Sequence, residues 1–440
     1  MKIKNILLLS LSLLVFASCS KDDDGTVVQR EPVDAVVSVK AVATSQKTKA
    51  EGKVIGNEEF IQTLTAYVFD KDGNLAGTGT KTAENDKSSV GDIDGILIRI
   101  TPGSDGITSA DNYKMVLLAN TNVASMSIKS LTDLKNATGL GNAIGTYKVG
   151  TSYMPMVSDE LILSGIKKSE KNASGNWTTN NWASKGGGAV KESSDDATEI
   201  PLTRMLARVE VSSVTVNLKD GLTAYEGATF NLKTIALMNV RTNADYTLKG
   251  IGDYVKGYQS DGYKYFPEGA DSGWWLPVDK DDNVAEDGKT GTETCAVVEE
   301  LSQEYDFGAD GAFNEETEYV FGDPIKNPTV KNPAFYRYIY PNSTKESGAK
   351  FETGLVVGGE FVFQGGKKAT KHFIVILRDP KGIREVLPNT VYQVAVYIQG
   401  EGSEDENHPQ KTTEVTATIT VKDWEEIKQF EDLGPITPSN

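Results

Sequence analysis

The stretch Thr412 to Val421, TTEVTATITV, alternates apolar side chains with threonines. Successive side chains of a β-strand point to opposite faces of a sheet, so strict alternation predicts a strand with one buried face and one polar face. The predicted buried face consists of Val415, Ala417, Ile419 and Val421. The pattern therefore predicts a half-buried strand close to the C-terminal end of the chain.

A second alternating stretch lies near the other end of the chain, at Val33 to Ala43, VDAVVSVKAVA. Its predicted buried face consists of Ala35, Val37, Val39, Ala41 and Ala43. Both strands adjoin polar, protease-accessible sequence. A detachable first strand and a spare last strand are what a subunit needs to polymerise by adding a strand to its neighbour's sheet. The alternative is that both are ordinary edge strands of one β-sandwich.

The composition of the chain favours an all-β protein with a soluble surface. A chain of 440 residues can bury a large core, and two domains are the natural expectation at that length. The net charge of −17 and the pI near 4.8 argue against binding nucleic acid or anionic lipid through a basic patch. Val, Thr and Tyr recur in short runs while long amphipathic helices are scarce, which is typical of β-structure.

Few residues of this chain could carry metal or catalytic chemistry. The chain has two cysteines and two histidines. Cys19 lies in the export segment, which leaves Cys295 alone and excludes an intrachain disulfide framework in the mature body. Zinc sites need several Cys or His ligands at fixed spacing, and no nucleotide-binding, zinc-protease or serine-hydrolase motif is present. We therefore expect no cofactor, no metal and no enzymatic activity.

The first residues predict export. Lys2 and Lys4 precede an apolar segment, Ile6 to Phe16, that is too short for a stable membrane anchor. Ala17-Ser18-Cys19 follows and resembles the lipobox of bacterial lipoproteins, in which the cysteine is acylated. We predict a signal peptide over residues 1–19 with lipidation at Cys19, the alternative being an ordinary signal peptide with a chance cysteine. The acidic tract that follows resembles a surface-export signal, although it also suits a solvated linker.

Several further strands and loops are predicted between the two alternating stretches. The expected strands are Phe60–Phe69, Ile96–Ile100, Tyr113–Leu118, Leu161–Leu163, Ala207–Leu218, Phe230–Val240, Phe335–Tyr340, Leu355–Phe363, His372–Leu377 and Val391–Ile398. A short helix is expected within Ser127–Lys135. The polar segments 44–56, 165–197 and 243–330 are expected to be loops or insertions. Two of them contain tryptophans, at Trp177, Trp182, Trp274 and Trp275.

The order of these motifs resembles the FimA-type and Mfa-like fimbrillins, the type V pilus subunits of Bacteroidetes. The motifs in order are the lipobox, the first strand with its basic loop, Tyr113–Asn120 (YKMVLLAN), Thr203–Val211 (TRMLARVEV), Leu387–Val394 (LPNTVYQV) and the strand that closes on Trp424. The resemblance implies two tandem transthyretin-like β-sandwich domains with short helices and long loop insertions. The expected boundaries are 20–49 for the tether and removable first strand, 50–202 and 203–402 for the two domains, and 403–440 for the linker and last strand.

The resemblance also implies a route of assembly. A precursor would be anchored by lipid in the outer membrane until a protease cuts the loop after the first strand, and the vacated groove would accept a C-terminal strand of another subunit. The implied partners are copies of this chain, other fimbrial subunits, the processing protease and an adhesion receptor, but no nucleic acid. The implied location is the cell surface, first as a lipoprotein and then within a fimbrium.

One departure from the family pattern concerns the cleavage site. The loop after the first strand offers Lys47 and Lys49, with Ala50 as the new first residue, whereas the family protease cuts after arginine. The nearest arginine, Arg30, lies before the strand. Either the protease accepts lysine, or this chain keeps its first strand and is an anchor or tip subunit. A monomeric glycan-binding surface lipoprotein and a glycoside hydrolase are the alternatives from other classes.

Overall fold

The computed structural model describes residues 31–43, 51–52, 55–85, 88–102, 112–218, 225–254, 301–343, 352–379, 381–402, 404 and 415–424. Strands dominate this part of the chain, which confirms the predicted all-β class. The one α-helix within it, α1 (Leu131–Lys135), is capped by Ser130, whose side chain accepts a hydrogen bond from the Asp133 amide, and buries Leu131 and Leu134 as predicted. Short 3-10 helices occur at Asn122–Ser125 and Ala309–Gly311.

The N-terminal part of the chain forms one large sheet. Its strands, together with the short β2 that joins another sheet, are β1 (Val33–Ala43), β2 (Glu51–Gly52), β3 (Thr63–Phe69), β4 (Leu75–Thr82), β5 (Asp92–Ile100), β6 (Tyr113–Ala119), β7 (Met156–Val157), β8 (Leu161–Ser164), β9 (Gly188–Ala189) and β10 (Ile200–Arg204). The order across the sheet is β4-β3-β6-β7-β10-β1-β5, and β8 pairs with β6 and β9. The first strand of the chain therefore lies inside this sheet.

The ends of this sheet curl towards each other. A Cβ atom added to Gly77 on β4 would lie 2.4 Å from the carbonyl oxygen of Leu97 on β5. Only glycine fits so close an approach of two backbones. The curled sheet encloses the apolar faces of β1, β3, β5 and β6, which contribute to the buried core.

The C-terminal part of the chain forms further sheets. Its strands are β11 (Ala207–Val216), β12 (Thr229–Met238), β13 (Arg241–Ala244), β14 (Gly250–Tyr254), β15 (Gln303–Glu304), β16 (Ala312–Phe313), β17 (Thr317–Glu318), β18 (Phe335–Ile339), β19 (Asn342–Ser343), β20 (Gly354–Val362), β21 (Lys368–Ile376), β22 (Glu385–Val386), β23 (Thr390–Ile398) and β24 (Val415–Trp424). One sheet has the order β17-β11-β23-β24-β2, with β18 also paired to β11, and another has the order β15-β12-β20-β21, with β16 paired to β12. Strands β13 and β14 form a hairpin, and β19 pairs with β22.

Sheet membership changes between β10 and β11, close to the predicted domain boundary, which itself stays a prediction. We call residues 33–204 without β2 the N-terminal body, and the strands from β11 onward with β2 the C-terminal body. All ten strands predicted between the two alternating stretches overlap an observed strand. The sequence missed β4, whose alternating glycines and threonines give no apolar signal, and β10, which contains Pro201. It also missed the short strands of two to five residues, which are β2, β7, β9, β13 to β17, β19 and β22. Of these, β2, β9 and β14 to β17 lie in segments that were predicted to be loops or insertions, and such short strands carry too few residues for an alternating pattern.

A buried ionic network joins the two bodies. Arg208 on β11 donates to Glu58, which follows β2, at 2.6 Å, and to Glu210 at 2.6 Å. Tyr338 on β18 donates its hydroxyl to Glu58 at 2.5 Å, and Arg204 donates to the Glu58 carbonyl oxygen at 2.9 Å. Burial lowers the pKa of Arg204 to about 10. Burial, reinforced by Glu58, raises the pKa of Tyr338 well above its usual value. Breaking one of these pairs would leave a buried charge without its partner, which is strongly destabilising. The network therefore fixes the relative positions of the residues that it joins.

Candidate functional site

The most distinctive feature of the N-terminal body is the environment of β1. Residues 33–40 of β1 pair antiparallel with β5, and residues 41–43 pair in parallel with β10. All five residues predicted to form its buried face are buried and lie in the core: Ala35, Val37, Val39, Ala41 and Ala43. The interpretation of β1 as an ordinary edge strand is wrong for this structure, because β1 has partners along both of its edges.

The opposite face of β1 is buried too. Val36 and Ser38 are 0% exposed, although they alternate with the residues that face the core. The Ser38 hydroxyl lies 3.4 Å from the amide of Gly95, where the register with β5 shifts between Val37 and Val39. Gly95 has a φ of +81°, which glycine adopts without strain. A strand buried on both faces is part of the interior of the fold.

An irregular segment, Ile166–Ser184, completes the second edge of β1 where β10 does not reach. We call it the clamp segment. The amide of Ser169 donates to the carbonyl oxygen of Asp34 at 3.1 Å, and the Ser169 hydroxyl accepts from the amide of Val36 at 2.9 Å. The Asn181 side chain donates to the Val36 carbonyl oxygen at 3.0 Å. Asp34 and Val36 are thereby held by the side chains and backbone of a loop, and not by a regular strand.

Two backbone hydrogen bonds extend this pairing at Ser38. Its amide donates to the Asn181 carbonyl oxygen at 2.8 Å, and its carbonyl oxygen accepts from the Ala183 amide at 2.8 Å. Residues 34, 36 and 38 turn their backbone groups away from β5, as alternate residues of a strand do. The clamp segment thus satisfies these groups as a neighbouring strand would, which a buried edge requires.

The clamp segment is itself fixed in place. Asn181 is 0% exposed, and its side chain also accepts from the Lys167 amide at 2.7 Å and donates to the Lys167 carbonyl oxygen at 3.0 Å. Trp182 and Lys191 exchange two backbone hydrogen bonds, of 2.7 and 2.8 Å. The sequence predicted a loop here but not its contact with β1. The sequence signal that could have indicated this contact is the run of Ser and Asn in the clamp segment, since their side chains often form the hydrogen bonds that a neighbouring strand would otherwise provide.

The tryptophans do not form an exposed platform in the described residues. Trp182 is 7% exposed. Trp177 is half-buried, with the Lys171 ammonium 5.0 Å from its ring centroid. Trp274 and Trp275 lie outside the described residues. The geometry of Trp177 and Trp182 therefore gives the glycan-binding alternative no support.

The last strand, β24, lies at the periphery of the C-terminal body. Residues 415–423 pair antiparallel with β23 over its whole length. On the other edge, Asp423 and Trp424 pair in parallel with β2. In the described part of the chain, no other strand pairs with that edge. Ala417 and Ile419 are partly buried and pack on the core. The alternative of an ordinary edge strand describes β24 in this structure, since it completes its own chain's sheet, and its role as a donated strand stays a prediction.

The other predicted site residues fall outside the described part of the chain. These are Cys19, Lys47, Lys49 and Ala50, so their predicted lipidation and processing roles stay predictions. The side chains of Val415 and Val421 likewise lie outside what the structure describes. The loop that carries the lysines links β1, inside the N-terminal body, to β2 on the C-terminal body, so a cut within it would separate β1 from the rest of the chain.

Charged side chains lie near both ends of β1. Asp34 pairs with Arg99 at 3.4 Å at one end. At the other, Lys40 donates to the Ser194 carbonyl oxygen at 2.8 Å, and Lys81 pairs with Asp92 at 2.8 Å. Burial, with Asp92 adding to it, raises the pKa of Asp94, while Lys81 and Lys40 act in the opposite direction. Over the described ranges, no cluster of acidic, Cys or His side chains suits a metal ion, and no helix has the length and apolarity needed to cross a bilayer.

The fold and the surroundings of β1 define a class: an all-β chain in which β1 lies inside the sheet of the N-terminal body, between β5 and β10. Residues 35–204 match the family model described as major fimbrial subunit protein (FimA). The match covers less than half of the chain and includes β1, the clamp segment and β10. It confirms the resemblance to FimA-type fimbrillins for this region. No curated protein sequence matches the chain.

Solved structures support the same fold over nearly the whole chain. Two candidate cell adhesion proteins from Parabacteroides distasonis have TM-scores of 0.55 and 0.54 at 16% and 17% identity, covering 90% of this chain and 99% and 100% of theirs. A fimbrilin (FimA) from Porphyromonas gingivalis has a TM-score of 0.51 at 16% identity, covering 90% of this chain and 99% of its own. At such identities the likeness establishes the fold alone.

Proposed function

We propose that this chain is a structural subunit of a cell-surface fimbria, exported as a lipoprotein precursor. In this proposal, proteolysis removes β1, and a C-terminal strand of the next subunit takes its place. Assembly proceeds with copies of this chain and other fimbrial subunits and supports adhesion. The residues assigned to the steps are Cys19 for lipidation, Lys47 and Lys49 for cleavage before Ala50, and Val415, Ala417, Ile419 and Val421 for the inserted face.

The observation that carries the proposal is the position of β1. It is buried in the sheet between β5 and β10, yet a short basic loop is its only covalent link to the rest of the fold. Burying one aliphatic side chain is worth roughly 1.5–3 kcal/mol. Removing β1 would expose an apolar groove along its whole length, and such a groove favours a replacement strand.

The candidate replacement is β24 of a second copy. Its apolar residues alternate as those of β1 do, and its one long partner strand in the described part of the chain is β23. Strand insertion requires β24 to leave β23. Because β24 lies at the periphery of its sheet, leaving costs less free energy than it would for a central strand. The acidic charge of −17 keeps unprocessed precursors apart.

The test is to follow processing and assembly in the full-length precursor. Treatment with a lysine-specific or trypsin-like protease should give polymers that resist SDS on unboiled gels, with subunits that begin near Ala50 by mass spectrometry. Replacing Lys47, Lys49 and Lys53 together with Gln should leave β1 in place and block polymers.

A matched control replaces three exposed lysines elsewhere with Gln, namely Lys71, Lys326 and Lys331. This variant changes the charge equally and should polymerise normally. Polymers of the first triple variant whose subunits still begin near Ala50 would show that the processing site is wrong. A precursor that retains β1 in the mature fimbria would instead be the anchor or tip subunit of the alternative.

A further inference from the structure

The clamp segment has a feature that strand exchange alone does not explain. It pairs with five backbone groups of β1 on residues 34, 36 and 38, and four of these five pairings use the buried residues Ser169 and Asn181. Ser169 is 2% exposed and Asn181 0%. Backbone hydrogen bonds hold any extended strand, whatever its sequence.

The surroundings of β1 also limit what side chains the occupant can carry. The residues of β1 that face away from the core, Val36 and Ser38, are fully buried, and the Ser38 hydroxyl faces the Gly95 amide. Bulk added there would meet a closed wall, because packed interiors leave little spare volume. The row that faces away from the core must therefore be small.

The strand β24 meets this requirement by its sequence. If its apolar row faces the core as that of β1 does, then the alternating row is Thr416, Thr418 and Thr420. Threonine is small and carries a hydroxyl, as Ser38 does. Shifts by two residues preserve the face. In the registers that place Thr418 at the position of Val36 or Ser38, threonines occupy both positions.

We infer that the clamp segment is the specificity-determining wall of the groove. It binds the backbone of the occupying strand through Ser169 and Asn181, and the groove that it completes accepts small side chains on the strand face that lies away from the core. The occupant it fits after processing is β24 of a second copy of this chain. This inference rests on the proposed function.

The experiment uses the full chain, cleaved after β1 but with β1 still bound. Exchange of the bound segment for a fluorescent synthetic peptide of residues 33–43 is followed by fluorescence anisotropy. Asn181→Ala leaves the Val36 carbonyl oxygen without its donor, and losing one such buried hydrogen bond should speed exchange about tenfold. Asn176→Ala, the same change at an exposed position of the clamp segment, should leave the rate unchanged.

A second variant provides a check against misfolding. Ser169→Ala removes the acceptor of the Val36 amide and the hydroxyl that donates to the Asn180 side chain at 2.6 Å. It should also speed exchange, with a melting temperature close to that of the unaltered protein. Unchanged rates for both Asn181→Ala and Ser169→Ala would overturn the inference.

Peptide competition tests the size rule. A 33–43 peptide with Ser38→Thr should compete within about threefold of the natural one, whereas Ser38→Trp should compete at least tenfold less well. Asp34→Trp, at a position 38% exposed, should be tolerated. Equal competition by Ser38→Trp would overturn the size rule.

A peptide of residues 415–424 separates this inference from the proposed function. If the clamp variants behave as expected but this peptide does not bind, the clamp segment recognises β1 alone, the inferred second occupant is wrong and strand donation by β24 fails. If the peptide binds and the clamp variants change nothing, strand donation stands and the clamp inference fails.

Discussion

Strands β1 and β24 have similar sequences and very different surroundings. Both alternate small apolar residues with other residues, and the sequence predicted one buried face for each. In the fold, β1 has partners along both edges and is buried on both faces over residues 35–39. In the described part of the chain, β24 has β23 on one edge and the short β2 on the other. The pattern of a strand therefore encodes which face is buried, but not how many neighbours the strand has.

This difference suits the two roles proposed for the strands. A strand that is fully enclosed leaves a well-defined binding site when it is removed. A strand at the edge of a sheet can leave with less disruption of its own body, because fewer contacts are lost. Four predictions test this contrast, beginning with the largest expected effect.

Val37→Asp should destabilise the precursor most. Val37 is 0% exposed on the core face of β1. The change forfeits roughly 1.5–3 kcal/mol of burial and adds a desolvation cost of a few kcal/mol for an unpaired carboxylate. We expect a loss of at least about 4 kcal/mol in the free energy of unfolding, measured by urea denaturation. A loss no larger than that of Ile419→Asp would remove the contrast between the strands.

Arg208→Met should be the next most disruptive change, at the junction between the two bodies. It removes the guanidinium from a pair in which both side chains are 1% exposed. Breaking such a buried pair from one side costs about 3–5 kcal/mol. The double variant Glu58→Gln with Arg208→Met should recover part of this loss in thermal melts. If the double variant were no more stable than Arg208→Met, the cost would come from lost packing and not from the uncompensated carboxylate.

The same junction shows what the sequence could and could not predict. Regular strands such as β11 and β23 were predicted because side-chain alternation is a local signal. The pairing of Glu58 with Arg208 joins residues 150 positions apart, and no local pattern encodes it. The clamp segment was missed because its hydrogen bonds come from Ser and Asn in irregular backbone. The pairing of β24 with its own chain was left open, since an alternating strand fits its own sheet and a neighbour's equally well.

Ile419→Asp should have a moderate effect on the monomer and a complete effect on assembly. Ile419 is only partly buried and packs on the core from an edge strand. We expect a loss of about 1–2 kcal/mol in monomer stability, below full burial of an isoleucine, with circular dichroism still showing a folded β-protein. In a neighbour's groove the same position would be fully buried, so polymers should be absent from unboiled gels. Ile419→Val should be tolerated in both assays. Unfolding of the whole monomer by Ile419→Asp would mean that β24 is indispensable to its own body.

Thr418→Asp should have the smallest effect on the monomer. It distinguishes best between β24 paired in its own chain and β24 inserted in a neighbour's groove. Thr418 pairs with Ala395 in the monomer, and its place in the alternation puts it on the face opposite Ala417 and Ile419. Surface substitutions away from packed features change stability by no more than about 0.5 kcal/mol, and we expect a change of that size in thermal melts. In the groove, the threonine row would lie where Val36 and Ser38 are fully buried, and an unpaired carboxylate there costs a few kcal/mol. Thr418→Asp should therefore stop polymer growth while leaving the monomer intact, and Thr418→Ser should do neither. Normal polymers from Thr418→Asp would mean that the groove does not enclose the threonine row of the donated strand.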